Sequence, residues 1–241
     1  EIFNMEKKSY FEVPKHLRNS EATGIHKFEP IAQFEIGPYK NFVYLIIDWN
    51  LKVAGIVDPR EELVTIEQAL VKNSIKLTHI LLTHTHHDHI GGVEPLLGQD
   101  PHLTLVVHDQ DAVRLTQATI SHSRLHHAKD GETLLIGQLR IKILHTPGHS
   151  AGECSYLVEG APHCLFTGDT VFIRDCGRTD LESGSNREMY ASLQRIKNLS
   201  PETLILPGHH YKSECASTVG TERVESPPFR CNSVEELAAL P

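Results

Sequence analysis

Residues 84–89 read His-Thr-His-His-Asp-His, four imidazoles and one carboxylate within six residues. Imidazole nitrogen and carboxylate oxygen are the donors that zinc and its first-row neighbours prefer. Five protonatable groups so crowded would repel one another if charged. A bound cation that takes neutral imidazoles as ligands removes that conflict. A histidine tag would sit at a terminus, whereas this run lies between the strand-like stretch 78–83 (THILLT) and Gly91-Gly92. Three further corners repeat the pattern of a ligand type beside glycine after an apolar run. Thr146-Pro147-Gly148-His149 follows RIKILH, Thr167-Gly168-Asp169-Thr170 follows HCLF, and Pro207-Gly208-His209-His210 follows TLIL. Glycine permits close backbone approach at a crowded site. The chemistry such a donor set serves is the binding of a metal ion.

Corners of this kind need strands to hold them. Residues 31–36, 42–47, 53–57, 78–83, 103–107, 155–159, 163–167 and 203–206 read as strands bounded by Gly, Pro or Asp, with two more within 133–145 around Gly137. Helical spacing runs over 61–73, with apolar positions 63, 66, 70 and 71, and a further helix opens between Gly91 and Leu97. Asp109 caps a helix over 109–117, Asn186 caps one over 186–197, and a short helix covers 233–240. Residues 118–130 read as a loop. Hairpins followed by strand–helix alternation predict an α/β layered domain rather than a helix bundle. Residues 1–30 are polar and hold Pro14, Gly24 and Pro30, so they read as an N-terminal arm before a single domain over 31–241.

A length of 241 residues suits one large domain. The net charge is −8, and lysine and arginine cluster no further than pairs such as Lys7-Lys8, which argues against nucleic acid as a partner. No apolar run approaches the roughly 20 residues of a membrane span, so no membrane partner is expected. The first twenty residues show no leader pattern, and the five cysteines form no CxxC pair. An odd cysteine count without a leader predicts reduced thiols and a cytoplasmic location. Cys154 and Cys164 read as small buried hydrophobes on strands. Cys176 sits in a glycine-flanked turn and either lines a pocket or packs inside. Of the seventeen histidines, His16, His26, His79, His102, His108 and His163 read as isolated surface or satisfied side chains.

The order HxHxDH, then His, then Asp, then His, resembles the metallo-β-lactamase superfamily from about Ile31 to Tyr211. The resemblance implies a four-layer αβ/βα sandwich with the site at one edge of its sheets. It implies two metals, zinc in the first instance and iron as the alternative. His84, His86 and His149 would hold the first, Asp88, His89 and His209 the second, and Asp169 would bridge them. A hydroxide shared by the metals would then attack a carbonyl carbon, with Asp88 and Asp169 as the catalytic carboxylates. Asp58, closing the VAGIV run, is either the carboxylate that orients a ligand histidine or an ordinary turn residue before Pro59. His87, His145 and His210 adjoin ligands without matching the motif. His210 is expected to face substrate.

Residues 174–180 (RDCGRTD) resemble the CGRTD segment of persulfide dioxygenases and the corresponding segment of glyoxalase II-like thioesterases, groups that act on glutathione conjugates. Arg178 would pair with a substrate carboxylate or tie its loop to Asp175 or Asp180, and Tyr211 would line the pocket. Persulfide dioxygenases usually read HxHADHxTG and PxHDY, where this chain has His87, Gly91-Gly92 and His210; they use one iron on the counterparts of His84, His149 and Asp169. Glyoxalase II carries a longer C-terminal region, whereas residues 210–241 alone follow His209 here, with Lys212, Arg223 and Arg230 as possible substitutes. The expected activity is therefore a binuclear hydrolase of a thioester, hydroxyacylglutathione hydrolase-like, or of a related ester. Iron-dependent persulfide dioxygenation is the first alternative, and lactonase or β-lactamase activity the second. The expected partner is a small molecule such as a glutathione conjugate.

Overall fold

The strand Asn41–Asp48, mostly apolar between its polar ends, is buried along its whole length, so it must be covered on both faces. A computed structural model shows how. It describes residues 25–28, 30–160 and 163–240; of the expected arm, residues 1–24 and 29 lie outside the described residues, as do His16 and the side chain of His26. Alternate residues of the run point to opposite layers. Phe42, Tyr44 and Ile46 enter a core between two sheets. Val43, Leu45 and Ile47 enter a core between the first sheet and the helices outside it.

The first sheet has the order β1 (Ile25–Phe28), β2 (Ile31–Ile36), β3 (Asn41–Asp48), β4 (Val53–Val57), β5 (Lys76–Leu81), β6 (Thr104–Val107) and β7 (Leu125–His127). Its first four strands are antiparallel neighbours and its last four parallel ones. The second sheet contains β8 (Thr133–Ile136), β9 (Leu139–His145), β10 (Cys154–Val158) and β11 (Cys164–Gly168). A small hairpin follows, β12 (Val171–Phe172) with β13 (Asp175–Cys176). The chain then returns through β14 (Leu204–Pro207) and β15 (Ser217–Thr218), so the second sheet runs β15-β14-β11-β10-β9-β8.

Helices close both outer faces. α1 (Val64–Lys72), α2 (His87–Ile90), α3 (Val93–Gln99), α4 (Asp109–Ala112) and α5 (Gln117–Ile120) belong to the first half. Ile66, Ala69 and Leu70 of α1 and Val93 and Leu96 of α3 pack onto the first sheet. α6 (Asn186–Lys197), α7 (Val219–Glu225), α8 (Pro227–Arg230) and α9 (Val234–Ala238) cover the second. Met189, Leu193 and Ile196, at helical spacing, meet Leu157, Leu165 and Ile205 there. The result is the αβ/βα four-layer sandwich.

Several local expectations change. Val71 is 80% exposed and lies outside the apolar stripe of α1. His108, not Asp109, caps α4, accepting at its ring nitrogen from the Gln110 amide. That helix ends at Ala112, and a second turn, α5, starts from Thr116. The stretch 118–130 accordingly holds the end of α5 and all of β7. Ser185, one residue before Asn186, caps α6 by accepting from the Glu188 amide. Arg223 donates to the Lys197 and Leu199 carbonyls at the end of α6, so its guanidinium is committed there. All five cysteines are free. Cys154 and Cys164 are buried between the sheets, where burial pushes the Cys164 thiol up to about 12 and the Cys154 thiol higher. Cys176 packs, partly buried, against the core beneath α6, and burial likewise pushes its thiol up to about 12.

Phe166 lies between the sheets with its ring 4.8 Å from that of Tyr44. Phe166→Ala is expected to lower the unfolding free energy by about 3–5 kcal/mol, measured by chemical denaturation. A loss below about 1 kcal/mol would mean that this layer is not tightly packed.

Candidate metal centre

Four of the corners lie at the C-terminal ends of strands. Asp58 follows β4, His84 follows β5, Asp169 closes β11 and His209 follows β14, and β4–β5 and β11–β14 are parallel pairs. Carboxyl ends of parallel strands are where α/β sheets bind ligands. His149 arrives from β9 in the second sheet. The run 84–89 is not all loop: His87–Ile90 forms the turn α2, which carries Asp88 and His89 round to a second cluster.

The structure brings six of the seven expected ligands together in two groups, His84 with His86 and His149, and Asp88 with His89 and His209. In the second, His89 Nε2 lies 3.2 Å from His209 Nε2. Asp88 Oδ2 lies 3.6 Å from the first of these nitrogens and 3.5 Å from the second. Asp169 reaches both groups, its Oδ2 3.5 Å from His149 Nε2 and 3.4 Å from His209 Nε2, its Oδ1 3.6 Å from His89 Nε2. A tetrahedral cation with ligands at about 2.0–2.1 Å sets its donor atoms about 3.3 Å apart. These separations are the edges of such a tetrahedron.

Tautomers decide what fills the gap. His209 Nδ1 donates to the Tyr39 carbonyl at 2.9 Å and His149 Nδ1 to the Arg178 carbonyl at 2.8 Å. His89 Nδ1 donates to Asp58 Oδ2 at 3.1 Å. The Thr83 hydroxyl donates to Asp58 Oδ2 at 2.6 Å and so accepts from His84 Nδ1 at 3.1 Å. A neutral ring so held turns a bare Nε2 lone pair inward, and His89 does the same on giving up its second proton. His84 Nε2 and Asp169 Oδ1 are buried with no hydrogen-bond partner. Only positive charge satisfies such a set, and the residues present fit two metal ions.

The electrostatics agree. Burial and the neighbouring imidazoles hold His84 well below the usual value, and the same causes lower His86 to about 4. Burial also disfavours charge on His89, but Asp169, Asp58 and Asp88 outweigh it and carry His89 up to about 9. Burial opposes ionisation of Asp169 too, yet His89 and His209 keep it well below the carboxylate range. Neutral donors thus dominate the first group, and the carboxylates attract a cation to the second.

Several supports escaped the sequence reading. Asn41, at the start of β3, donates to Asp88 Oδ2 at 3.0 Å and accepts from Arg60 at 2.9 Å. Glu153 accepts from the Asp169 amide at 2.6 Å and lies 3.7 Å from His84 Nδ1. The signal for Glu153 was a lone carboxylate heading the apolar stretch CSYLV. Asp58, already expected as a candidate for orienting a ligand histidine, takes φ +50° and aims its carboxylate at the Thr83 amide, at 2.7 Å, and at His89. Glycine is required at 208, where a Cβ would lie 2.4 Å from Asp169 Oδ1.

The expected substrate contacts are placed less uniformly. Tyr211 is half exposed, stacked on the His209 ring at 4.8 Å and edge-on to Phe172 at 5.0 Å. Arg178 is exposed, and its guanidinium is held by Asp180 at 2.6 and 2.7 Å. His210 Nδ1 donates to Glu35 Oε2 at 2.5 Å, and its ring packs on Phe42 at 5.0 Å. His87 is exposed and edge-on to Tyr39. His145 stacks on His108 and bonds the Ala151 carbonyl.

Residues 53–209 match the metallo-beta-lactamase superfamily. The chain belongs to that superfamily. It is 36% identical over 171 residues to a hydroxyacylglutathione hydrolase of Gloeobacter violaceus, covering 71% of this chain and 64% of that protein. The chain thus matches just under two thirds of that relative's length. It is 35% identical over 192 residues to the probable polyketide biosynthesis zinc-dependent hydrolase PksB of Bacillus subtilis, covering 77% and 80% of the two chains. In structure it is similar to ETHE1 from Myxococcus xanthus, with a TM-score of 0.75, 30% identity and coverage of 88% and 92%. Within the superfamily it falls in the glyoxalase II-like and persulfide dioxygenase branch. No helix among the described residues is long and apolar enough to cross a membrane.

Asp58→Asn keeps the shape of the support but sets an amide N–H2 against donors. Zinc affinity, read by competition with a chromophoric chelator, is expected to fall about 10–100-fold. Unchanged affinity would reduce Asp58 to a turn residue.

Proposed function

We propose that this chain is a binuclear metallo-hydrolase that cleaves a thioester or a related ester, in the manner of a hydroxyacylglutathione hydrolase. The observation that carries the reading is Asp169, whose carboxylate lies within 3.6 Å of ligand nitrogens from both groups. His84, His86 and His149 would hold one metal, Asp88, His89 and His209 the other, and Asp169 both. When bound, the pair supplies a water acidic enough to ionise near neutral pH and a Lewis acid for the carbonyl oxygen.

The chain's own residues supply the rest. Asp58, Thr83 and the Tyr39 and Arg178 carbonyls fix each ligand ring in one tautomer and one orientation. Asn41 holds Asp88 Oδ2 and leaves Oδ1 to take the proton released by the attacking water. Burial of His84, His89 and His209 excludes bulk water from the inner side of the site. A thiol leaves as a thiolate of pKa near 8.5, so thioester cleavage asks little of a general acid. Tyr211, with Phe172 behind it, offers the substrate an aromatic wall. Arg178 offers a carboxylate-binding fork in exchange for Asp180, a trade that costs little between two exposed side chains. His210 braces the loop of Tyr211 through Glu35. The relatives named as hydroxyacylglutathione and zinc-dependent hydrolases support this reading.

A one-iron persulfide dioxygenase would need only His84, His149 and Asp169, a two-histidine, one-carboxylate set. It would leave Asp88, His89 and His209 gathered without a task. Zinc and iron per chain separate the two: near two zincs with turnover of glutathione thioesters supports the hydrolase. One iron with oxygen uptake on glutathione persulfide reverses it. Lactone or lactam turnover in preference to thioesters would move the substrate class. Asp169→Ala is expected to abolish both metal loading and turnover, and a variant that keeps two metals would refute the bridging role.

A further inference from the structure

The first group draws its ligands from two sheets. His84 and His86 follow β5 of the first, and His149 follows β9 of the second. Their facing nitrogens, His86 Nδ1 and His149 Nε2, stand 2.9 Å apart, so some contact must hold the two loops at that separation. One fully buried side chain outside the ligand set touches both. Asp111 of α4 accepts at Oδ2 from the Thr85 amide at 3.1 Å and from the Ser150 hydroxyl at 2.9 Å. At Oδ1 it accepts from the Gly152 amide at 2.9 Å and from Arg114 at 3.4 Å. Thr85 returns a bond from its hydroxyl to the Asp111 carbonyl at 2.9 Å. Thr85 lies between two ligands, and Ser150 directly follows the third. Gly152 is matched to this contact, because a Cβ there would lie 2.6 Å from the Asp111 amide nitrogen. Arg114 supplies the countercharge and carries the tie onward to Ser183 and the Glu182 carbonyl.

We propose that Asp111 is the positioning residue of the first metal group, the clamp that sets the distance between the His84–His86 loop and the His149 loop. Four donors converge on its two oxygens, and a buried carboxylate so used costs much to replace by a group that also donates. The second group has no bond to Asp111; Asn41 and Asp58 support it instead. The clamp therefore acts on one group and not the other.

The inference rests on the two-metal reading, and its test separates the two. Zinc affinity is measured in two single-site backgrounds, His209→Ala, which leaves the first group, and His86→Ala, which leaves the second. Asp111→Asn is expected to weaken zinc about 10–100-fold in the first background and less than about twofold in the second. Equal losses in both, or none in the first, overturn the clamp. Ser150→Ala removes one leg without burying a new donor, and it decides the matter if Asp111→Asn does not fold: it is expected to weaken only the first group, and unchanged affinity there overturns the proposal. If the parent chain binds a single metal that either background abolishes, the two-metal reading fails. The clamp then stands or falls on the same loss measured in the parent.

Discussion

The structure depends on one electrostatic condition: imidazole nitrogens and carboxylates are packed face to face with too few protons to satisfy them all. His89 Nε2 and His209 Nε2 stand 3.2 Å apart with both Nδ1 protons already given away. Buried acceptors without a donor are costly, and here they converge with two carboxylates. A cation turns that cost into coordination. The supporting residues follow from the condition, because each fixes a tautomer, and a tautomer fixes which nitrogen looks inward.

The sandwich exists to bring those lone pairs from opposite sides. Ligands before residue 90 hang from the first sheet and those after 148 from the second. Backbone bonds lace the two together at the site: Cys154 to the Thr83 carbonyl at 2.8 Å, Phe42 to the Gly208 carbonyl at 2.8 Å, and His210 to the Lys40 carbonyl at 2.9 Å. The apolar layer between the sheets holds the halves in register, and the polar edge above it, once laced, carries the chemistry. A buried polar network of this kind is strong when every member is satisfied and weak when one is not, so metal bound here would stabilise this edge as well as serve its chemistry.

What could be read beforehand divides along physical lines. The candidate ligands were legible because HxHxDH and the three glycine corners spend scarce residue types in one order. The layers were legible because runs such as Phe42–Ile47 carry large, mostly apolar side chains at consecutive positions, which demands cover on both faces. Caps were misplaced by one residue at α4 and α6, because Asp109, Asn186 and their neighbours His108 and Ser185 all offer capping acceptors and local sequence does not rank them. Asn41 and Asp111 were invisible, and Glu153 was marked only as a lone carboxylate before an apolar strand, because their partners lie 16 to 47 residues away and are set by tertiary folding. Backbone carbonyls such as those of Tyr39 and Arg178 carry no sequence signature at all. Arg178 shows the point: its guanidinium drew attention, whereas its carbonyl holds His149.

The central claim is that Asp169 joins two metal ions. X-ray diffraction from zinc-loaded crystals, with data collected on both sides of the zinc absorption edge, tests it most directly. The account predicts two anomalous peaks, one inside His84, His86 and His149 and one inside Asp88, His89 and His209, each bordered by an Asp169 oxygen. A single peak, or two peaks of which Asp169 touches only one, would contradict it.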